Sequence, residues 1–398
     1  MLAVQYVKSV PRYLTARFLG PSAGWIYTSP LGCIRLAEVA PPPLPAEDWC
    51  RIQPTLSGIC GSDLATITAR GSAYFSPFTS HPFVLGHEVV GTVLEVGQGV
   101  TNLHAGDRVV LEPPLHCEVR GIEKLCRQCR DGNTARCENI TRGKIAAGIQ
   151  TGFCRDTGGG WSSDFVAHYK QLHVLPENLS DREAVLIEPF SCSLKAALEA
   201  PLDSASRAIV LGCGTVGALL IAAIRGLGSS CRIIAVAKYP HQREIAHELG
   251  ADVVLESADL YESVRRELGA TSYQPELGRP VFTGGADICF DCVGSDRTID
   301  DALRFTRGGG TIMLVGMPAV PKSVDWTAIW HKELTIKGSY TSGSPTFQRA
   351  IRMVAGMNGR LSRIVGAIFP LVRYKEAIKS ALDTGRSGVM KTALRIDV

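Results

Sequence analysis

Residues 210–217 read Val210-Leu211-Gly212-Cys213-Gly214-Thr215-Val216-Gly217. The apolar run RAIVL precedes the glycines and the helix-forming run TVGALLIAAIRGLG follows, so they sit where a strand turns into a helix. In that place each glycine has a task. Gly212 permits a tight turn, Gly214 lets backbone approach a pyrophosphate, and Gly217 lets the helix pack closely on the strand, with the helix N-terminus facing the anion. The spacing alone is a weak signal. Between a strand and a helix it marks a dinucleotide site.

Working outward, strands and helices alternate from Leu186: helical IEPFSCSLKAALEA, strand RAIVLG, the helix just quoted, strand RIIAVA, helix QREIAHELG, strand DVVLE, and later DICFDCVG, helix TIDDALRFT and strand TIMLVG. This α/β alternation predicts a doubly wound parallel sheet. Residues 1 to about 180 differ, with short β-like runs (CIRLAEV, WCRIQP, VVGTVLEVG, DRVVLEP) broken by Pro, Gly and Asn. After Gly338 come helices around Phe347–Met357 and Lys375–Asp383 and a strand KTALRI, which we expect to return to the first domain. The expected organisation is a β-rich, barrel-like catalytic domain from 1–185 and 340–398 and a nucleotide domain over 186–339. A chain of 398 residues exceeds what one core usually serves.

The strand Ile233-Ile234-Ala235-Val236-Ala237-Lys238 ends roughly twenty residues past the glycines, where an NAD enzyme presents Asp or Glu to the adenosine ribose. Ala237 leaves room there, and Lys238, helped by Arg243, offers positive charge to a 2′-phosphate. NADP is favoured on these residues. If Lys238 is only a solvated loop cation, either cofactor serves.

A net charge of +4 from 42 basic and 38 acidic residues, scattered along the chain, gives no pull toward nucleic acid. No run approaches the roughly 18 apolar residues of a membrane helix. The first twenty residues interrupt their apolar stretches with Lys8, Pro11, Arg12 and Arg17, unlike a secretory leader. A cytoplasmic protein is expected, and its 13 cysteines are then reduced thiols, some of them metal ligands.

Two groups of residues have metal-binding character. Gly58-Ile59-Cys60-Gly61-Ser62-Asp63 and Gly86-His87-Glu88 bring a thiolate, an imidazole and carboxylates into two Gly-rich turns, and Glu188 follows in Ile187-Glu188-Pro189. Three protein ligands with one open position characterise a catalytic zinc. Singly, each has a plainer explanation as a buried thiol, a core histidine or an ion-pair partner. The second group is Cys126, Cys129 and Cys137, at C-x2-C-x7-C spacing, with Glu123 three residues before Cys126 and Cys117 further upstream. Either could be the fourth ligand of a structural zinc.

Together GICGSD, GHE, the IEP step, GxGxxG, ADICFDCVGS, RGGGTIMLVG and HKELTIKGSY resemble the zinc-dependent medium-chain alcohol and polyol dehydrogenases, over nearly the whole chain. The resemblance implies a GroES-like catalytic domain joined to a Rossmann domain. It implies that Cys60, His87 and Glu188 surround the zinc, with Glu88 a direct ligand or one that exchanges with Glu188, and with Asp63 orienting His87. Glutamate at 188 resembles the sorbitol, threonine and glucose dehydrogenase branches. The implied reaction moves hydride between a secondary alcohol, polyol or sugar hydroxyl and NAD(P), the zinc acting as a Lewis acid on the substrate oxygen. Val293, Val315 and Gly316 would lie near the cofactor along with Gly212, Gly214, Thr215, Val216 and Gly217. Ser62 matches the hydroxyl that starts the family's proton relay. Related polyol enzymes often follow with His where this chain has Ala65.

A competing reading keeps the fold and binds NADPH without zinc chemistry, as quinone and enoyl reductases do. The joint presence of Cys60, His87, Glu188 and the cysteine lobe speaks against it, and a zinc-storage role would leave the glycine fingerprint unexplained. The run Gly158-Gly159-Gly160-Trp161 reads equally as a substrate-facing loop or a surface turn, and His81, Phe153 and Trp161 are pocket candidates by position. Family habit implies a homodimer or homotetramer. The sequence does not name the substrate.

Overall fold

The computed structural model describes residues 1–256, 258–317 and 320–397. The chain forms two compact units, one from Met1–Glu188 with Ser342–Val398 and the other from Pro189–Thr341. The changes of unit thus fall at 188/189 and 341/342, against the expected 185/186 and 339/340.

The first stretch of unit one supplies β1 (Leu2–Tyr6), β2 (Ile34–Glu38), β3 (Trp49–Gly58), β4 (Phe83–Val84), β5 (Val89–Val96), β6 (Arg108–Leu111), β7 (Phe165–His168) and β8 (Leu172–Val174). β1 pairs antiparallel with β2 and with β4. Between β1 and β2 the chain makes an excursion through the helix Val10–Phe18 and the 3-10 helix Gly24–Thr28. Ser9 caps the former, and Pro11 stands in its first turn, where a missing N–H costs nothing.

Unit two holds β9 (Arg207–Leu211), β10 (Arg232–Val236), β11 (Val253–Leu255), the hairpin β12 (Thr271–Tyr273) and β13 (Val281–Thr283), then β14 (Ala286–Asp291), β15 (Thr306–Leu314) and β16 (Thr335–Gly338). Six of these form one sheet in the order β11-β10-β9-β14-β15-β16, every pair parallel. Burial on both faces explains the unbroken apolar strands: Ile209, Val210, Ile233 and Ile234 are all fully buried. Helix Thr215–Gly226 leaves the end of β9. Gly212 has φ +87°, and a Cβ on Gly217 would stand 2.1 Å from the Gly212 carbonyl oxygen, which is the close helix-to-strand approach read from the sequence.

The chain then returns to unit one with helices Ser344–Gly356 and Tyr374–Leu382 and strands β17 (Val365–Pro370) and β18 (Lys391–Arg395). They complete a sheet ordered β17-β18-β3-β5-β6-β8, with β7 also paired to β3. Its registers set Ser57 opposite Val89 and Gly58 opposite Ala393. Gly58 N–H donates to Glu88 O at 2.8 Å and Ile59 N–H to Thr392 O at 2.9 Å.

The Gly158–Trp161 run is neither a substrate-facing loop nor a surface turn. It is buried, and Trp161 is fully enclosed in the core. Trp161 is therefore corrected from pocket candidate to core residue. Its N–H donates to Leu85 O (2.9 Å), Gly160 N–H to Gly86 O (2.9 Å), and the indole Nε1–H to Gly58 O (3.3 Å). The glycines let this segment lie directly on the Gly86-His87-Glu88 turn. A Cβ on Gly159 would stand 2.4 Å from Val84 O and 2.6 Å from Leu85 O, both backbone atoms. Gly159→Ala is accordingly expected to cost ~2–3 kcal/mol by overpacking, measured as a lower midpoint in urea unfolding; an unchanged midpoint would contradict this packing.

Candidate active site

Strand β3 ends in Gly58 and delivers Cys60 as the N-cap of helix Gly61–Ile67. Asp63, in the first turn of that helix, accepts from Cys60 N–H through Oδ2 at 2.9 Å and places Oδ1 3.4 Å from His87 Nδ1. Ser62 Oγ lies 3.4 Å from His87 Nε2. The ligand atoms of Cys60, His87 and Glu88 all lie within 4.8 Å of one another. Thiolate, imidazole and carboxylate so converging form a donor set that suits zinc. Both His87 and Glu88 are buried, and Glu188, also buried, ends unit one just before Pro189.

Burial works against a charged imidazole at His87, but Asp63 and then Cys60 outweigh it and hold its pKa well above the ordinary value. Sequence reasoning missed the partner of Glu88. Lys391, at the start of β18, is 4% exposed and forms an ion pair with Glu88 Oε2. Burial opposes its charge as well, yet Glu88, Cys60 and Glu188 together raise its pKa. A lysine opening the strand KTALRI was the available signal.

The cysteine lobe holds a second set, Cys117, Cys126, Cys129 and Cys137, again with ligand atoms within 4.8 Å. The fourth donor brought to this set is Cys117, and Glu123 is corrected out of it: Glu123 is exposed and outside the cluster. The reason is a tight turn after Cys117. Arg120 and Ile122 N–H groups donate to Cys117 O at 3.1 and 2.9 Å, folding the thiol inward to 3.6 Å from Cys137 Sγ. Asn139 Nδ2 donates to Cys117 Sγ at 3.2 Å. Burial works the other way, but N–H groups of Glu138 and Cys129 pull the Cys126 thiol down to about 7, toward the thiolate a metal needs. Beneath the lobe Arg120, fully buried, donates to the carbonyls of Leu115, Ile140, Arg142, Ile145, Ala146 and Gly148.

In unit two, the carboxyl ends of β9, β14 and β15 converge. A Cβ on Gly212 would meet Val293 Cγ2 at 2.2 Å, and one on Gly316 would meet the Val293 backbone at 2.5 Å. Val315 N–H donates to Asp291 O. Gly214, Thr215 and Val216 open the helix, and a Cβ on Gly214 would face open space. Ala237 is buried after β10 and Lys238 is exposed, its Nζ 5.3 Å from the Tyr239 ring centroid. Arg243 pairs with Glu256 at 3.2 Å, so its charge is partly engaged. Phe153 packs its ring 5.9 Å from that of His87, and His81 lies among Tyr6 and Phe83.

Residues 46–177 match the alcohol dehydrogenase GroES-like domain and residues 215–356 the zinc-binding dehydrogenase family. L-idonate 5-dehydrogenase of Vitis vinifera is 31% identical over 71% of this chain and 70% of its own length. The chain belongs to the zinc-binding dehydrogenases. Sorbitol dehydrogenase of Arabidopsis thaliana is 31% identical over 73% of each chain. Among solved structures, alcohol dehydrogenase TADH from Thermus sp. ATN1 superposes with TM-score 0.74 and 25% identity, covering all of both chains. This dehydrogenase is thus an oxidoreductase of the zinc-type medium-chain alcohol and polyol class, with GroES-like and Rossmann domains, and the zinc-free reductase alternative is not favoured. Among the described residues, no helix is long and apolar enough to cross a membrane.

Lys391→Met would leave the Glu88 carboxylate buried without its cation. We expect a loss of about 3–5 kcal/mol in chelator-treated protein and a smaller loss with zinc present, from urea unfolding under both conditions. Equal stability of wild type and variant after chelation would show that the pair carries no weight.

Proposed function

We propose that this dehydrogenase oxidises a secondary hydroxyl of a polyol or sugar-like substrate, with NADP preferred over NAD. In this reading Cys60, His87 and Glu88 hold a catalytic zinc, with Glu188 as the neighbouring carboxylate that exchanges with Glu88. Cys117, Cys126, Cys129 and Cys137 hold a structural one. The observation that carries it is the convergence of Cys60, His87 and Glu88 ligand atoms within 4.8 Å, beside Ser62 Oγ. Support for the substrate class comes from relatives named for idonate and sorbitol.

Zinc bound there supplies a Lewis acid for the substrate oxygen, and the nicotinamide supplies the hydride acceptor. Ser62 Oγ, half-buried beside His87, would accept the hydroxyl proton while handing its own O–H proton on to solvent. Asp63 Oδ1, 3.4 Å from His87 Nδ1, fixes the orientation of the imidazole. Gly214 with Thr215 and Val216 would receive the pyrophosphate at the helix N-terminus, Gly212 shaping the turn and Gly217 the helix packing, and Val293, Val315 and Gly316 border the same strand ends. Lys238, which has no carboxylate partner among the described residues, meets the 2′-phosphate, while Arg243 is shared with Glu256. None of the 13 cysteines is in a disulfide, as a reducing, cytoplasmic setting would keep them. A homodimer or homotetramer would pair through a sheet edge, β11 or β16.

The test is cofactor reduction across secondary alcohols, polyols, aldoses and amino alcohols, with and without a zinc chelator, alongside zinc content. Chelator-sensitive turnover on polyols and two zinc per chain are expected. Cys60→Ser should abolish turnover, Cys117→Ser should drop zinc to one per chain, and Glu123→Gln should leave two. Protein without zinc that still turns over substrate would defeat the proposal. For cofactor choice, Lys238→Gln should raise KM for NADP about tenfold, the worth of one charge-assisted contact, with KM for NAD nearly unchanged. A parallel change for both cofactors would point away from a 2′-phosphate contact.

A further inference from the structure

The excursion between β1 and β2 is not needed by either metal set or by the nucleotide turn. Where it folds back, an open surface groove of about 420 Å³, its rim at Arg35, Val372 and Lys375 exposed, lies between the excursion, β2 and the start of helix Tyr374–Leu382. Three cations line it, Arg12, Arg35 and Lys375, and its apolar walls include Ile34, Leu36 and Val372.

These cations lack counter-charges. Among the described residues, neither the Arg12 guanidinium nor the Lys375 ammonium has a hydrogen-bond or ion-pair partner, and Arg35 donates only to the neutral Gln5 Oε1, at 2.9 Å. The sequence supplies no local acid either: no Asp or Glu occurs before Glu38. Glu376, the neighbour of Lys375, is occupied by Arg373, whose Nε donates to it at 2.9 Å. Arg35 and Lys375 are exposed and Arg12 is half-buried, so solvent screens part of their mutual repulsion, and among the described residues no carboxylate partner offsets the rest. A bound anion would.

We propose that this groove binds a small organic phosphate. Three cations suit a dianionic head better than a monocarboxylate, and guanidinium groups match the geometry of phosphate oxygens. The apolar wall formed by Ile34, Leu36 and Val372 takes the organic part. None of these residues belongs to the zinc sets or the dinucleotide turn, so the site is additional to the one that performs hydride transfer.

The test is calorimetric titration of phenyl phosphate, at constant ionic strength, into the full chain with zinc retained. Wild type is expected to bind one equivalent in the high-affinity phase. Arg12→Gln and Lys375→Gln should each weaken it at least about tenfold, and Lys238→Gln should leave it unchanged. The opposite pattern, sensitivity to Lys238→Gln alone, would place the phosphate at the nucleotide site and overturn the proposal. Benzoate binding as tightly as phenyl phosphate would overturn the phosphate assignment, and no heat from wild type at millimolar ligand would overturn the site. Thermal melting without ligand checks that each variant is folded, and the exposed Arg35→Gln gives a further arm if either of the others is not.

Discussion

Backbone pairing among β3, β5 and β18 is the constraint on which the catalytic end of this enzyme depends. Those three adjacent strands bring Cys60, the His87-Glu88 turn and Lys391 to one place, although more than 300 residues separate the first from the last. The side-chain period of a strand is two, so a slip of one residue in either register would turn these candidate ligands away from one another. The clustered carboxyl groups of Glu88, Glu188 and Asp63 add repulsion of their own. The sheet holds these groups together, with Lys391 offsetting part of the charge.

Packing behind the turn serves the same end. Trp161 hydrogen-bonds to the segment before Cys60 and to the segment before His87, and the preceding glycines let it lie flat on both. In the cysteine lobe Arg120 performs a comparable task with charge instead of bulk. Its buried guanidinium gathers six carbonyls from a stretch with little regular structure, satisfying groups that a sheet or helix would otherwise pair. Burial depresses its pKa, and the nearby thiols Cys154, Cys137 and Cys117 restore part of the preference for charge.

What the sequence made legible was local. The glycine fingerprint, the alternation of strands and helices after Leu186, and the short ligand-bearing turns each lie within a few residues, where periodicity and backbone needs can be read directly. What escaped was set at a distance. Lys391 as the partner of Glu88 depends on strand register between remote segments. Glu123 and Cys117 both stood open as the fourth donor beside Cys126, and the turn at 117–122 brings in Cys117. The Gly158–Trp161 run has the composition of a loop because the surface it must lie against, the Gly86 turn, is far away in sequence and leaves no room for side chains.

The division of unit one into two stretches of chain carries a consequence for biosynthesis. Residues 1–188 leave the ribosome with β3 and β5 able to pair, but β18 follows only after the whole nucleotide unit. At typical elongation rates of about 5–20 residues per second, the roughly 200 residues between Glu188 and Lys391 impose a delay of about 10–40 s. During that interval the β3 edge that β18 will occupy is unpaired and the Glu88 carboxylate has no ammonium beside it. The nascent amino-terminal stretch is therefore a natural client for chaperones that shield open strand edges, and a message truncated before residue 391 would yield a chain whose nucleotide unit is whole but whose catalytic unit cannot close.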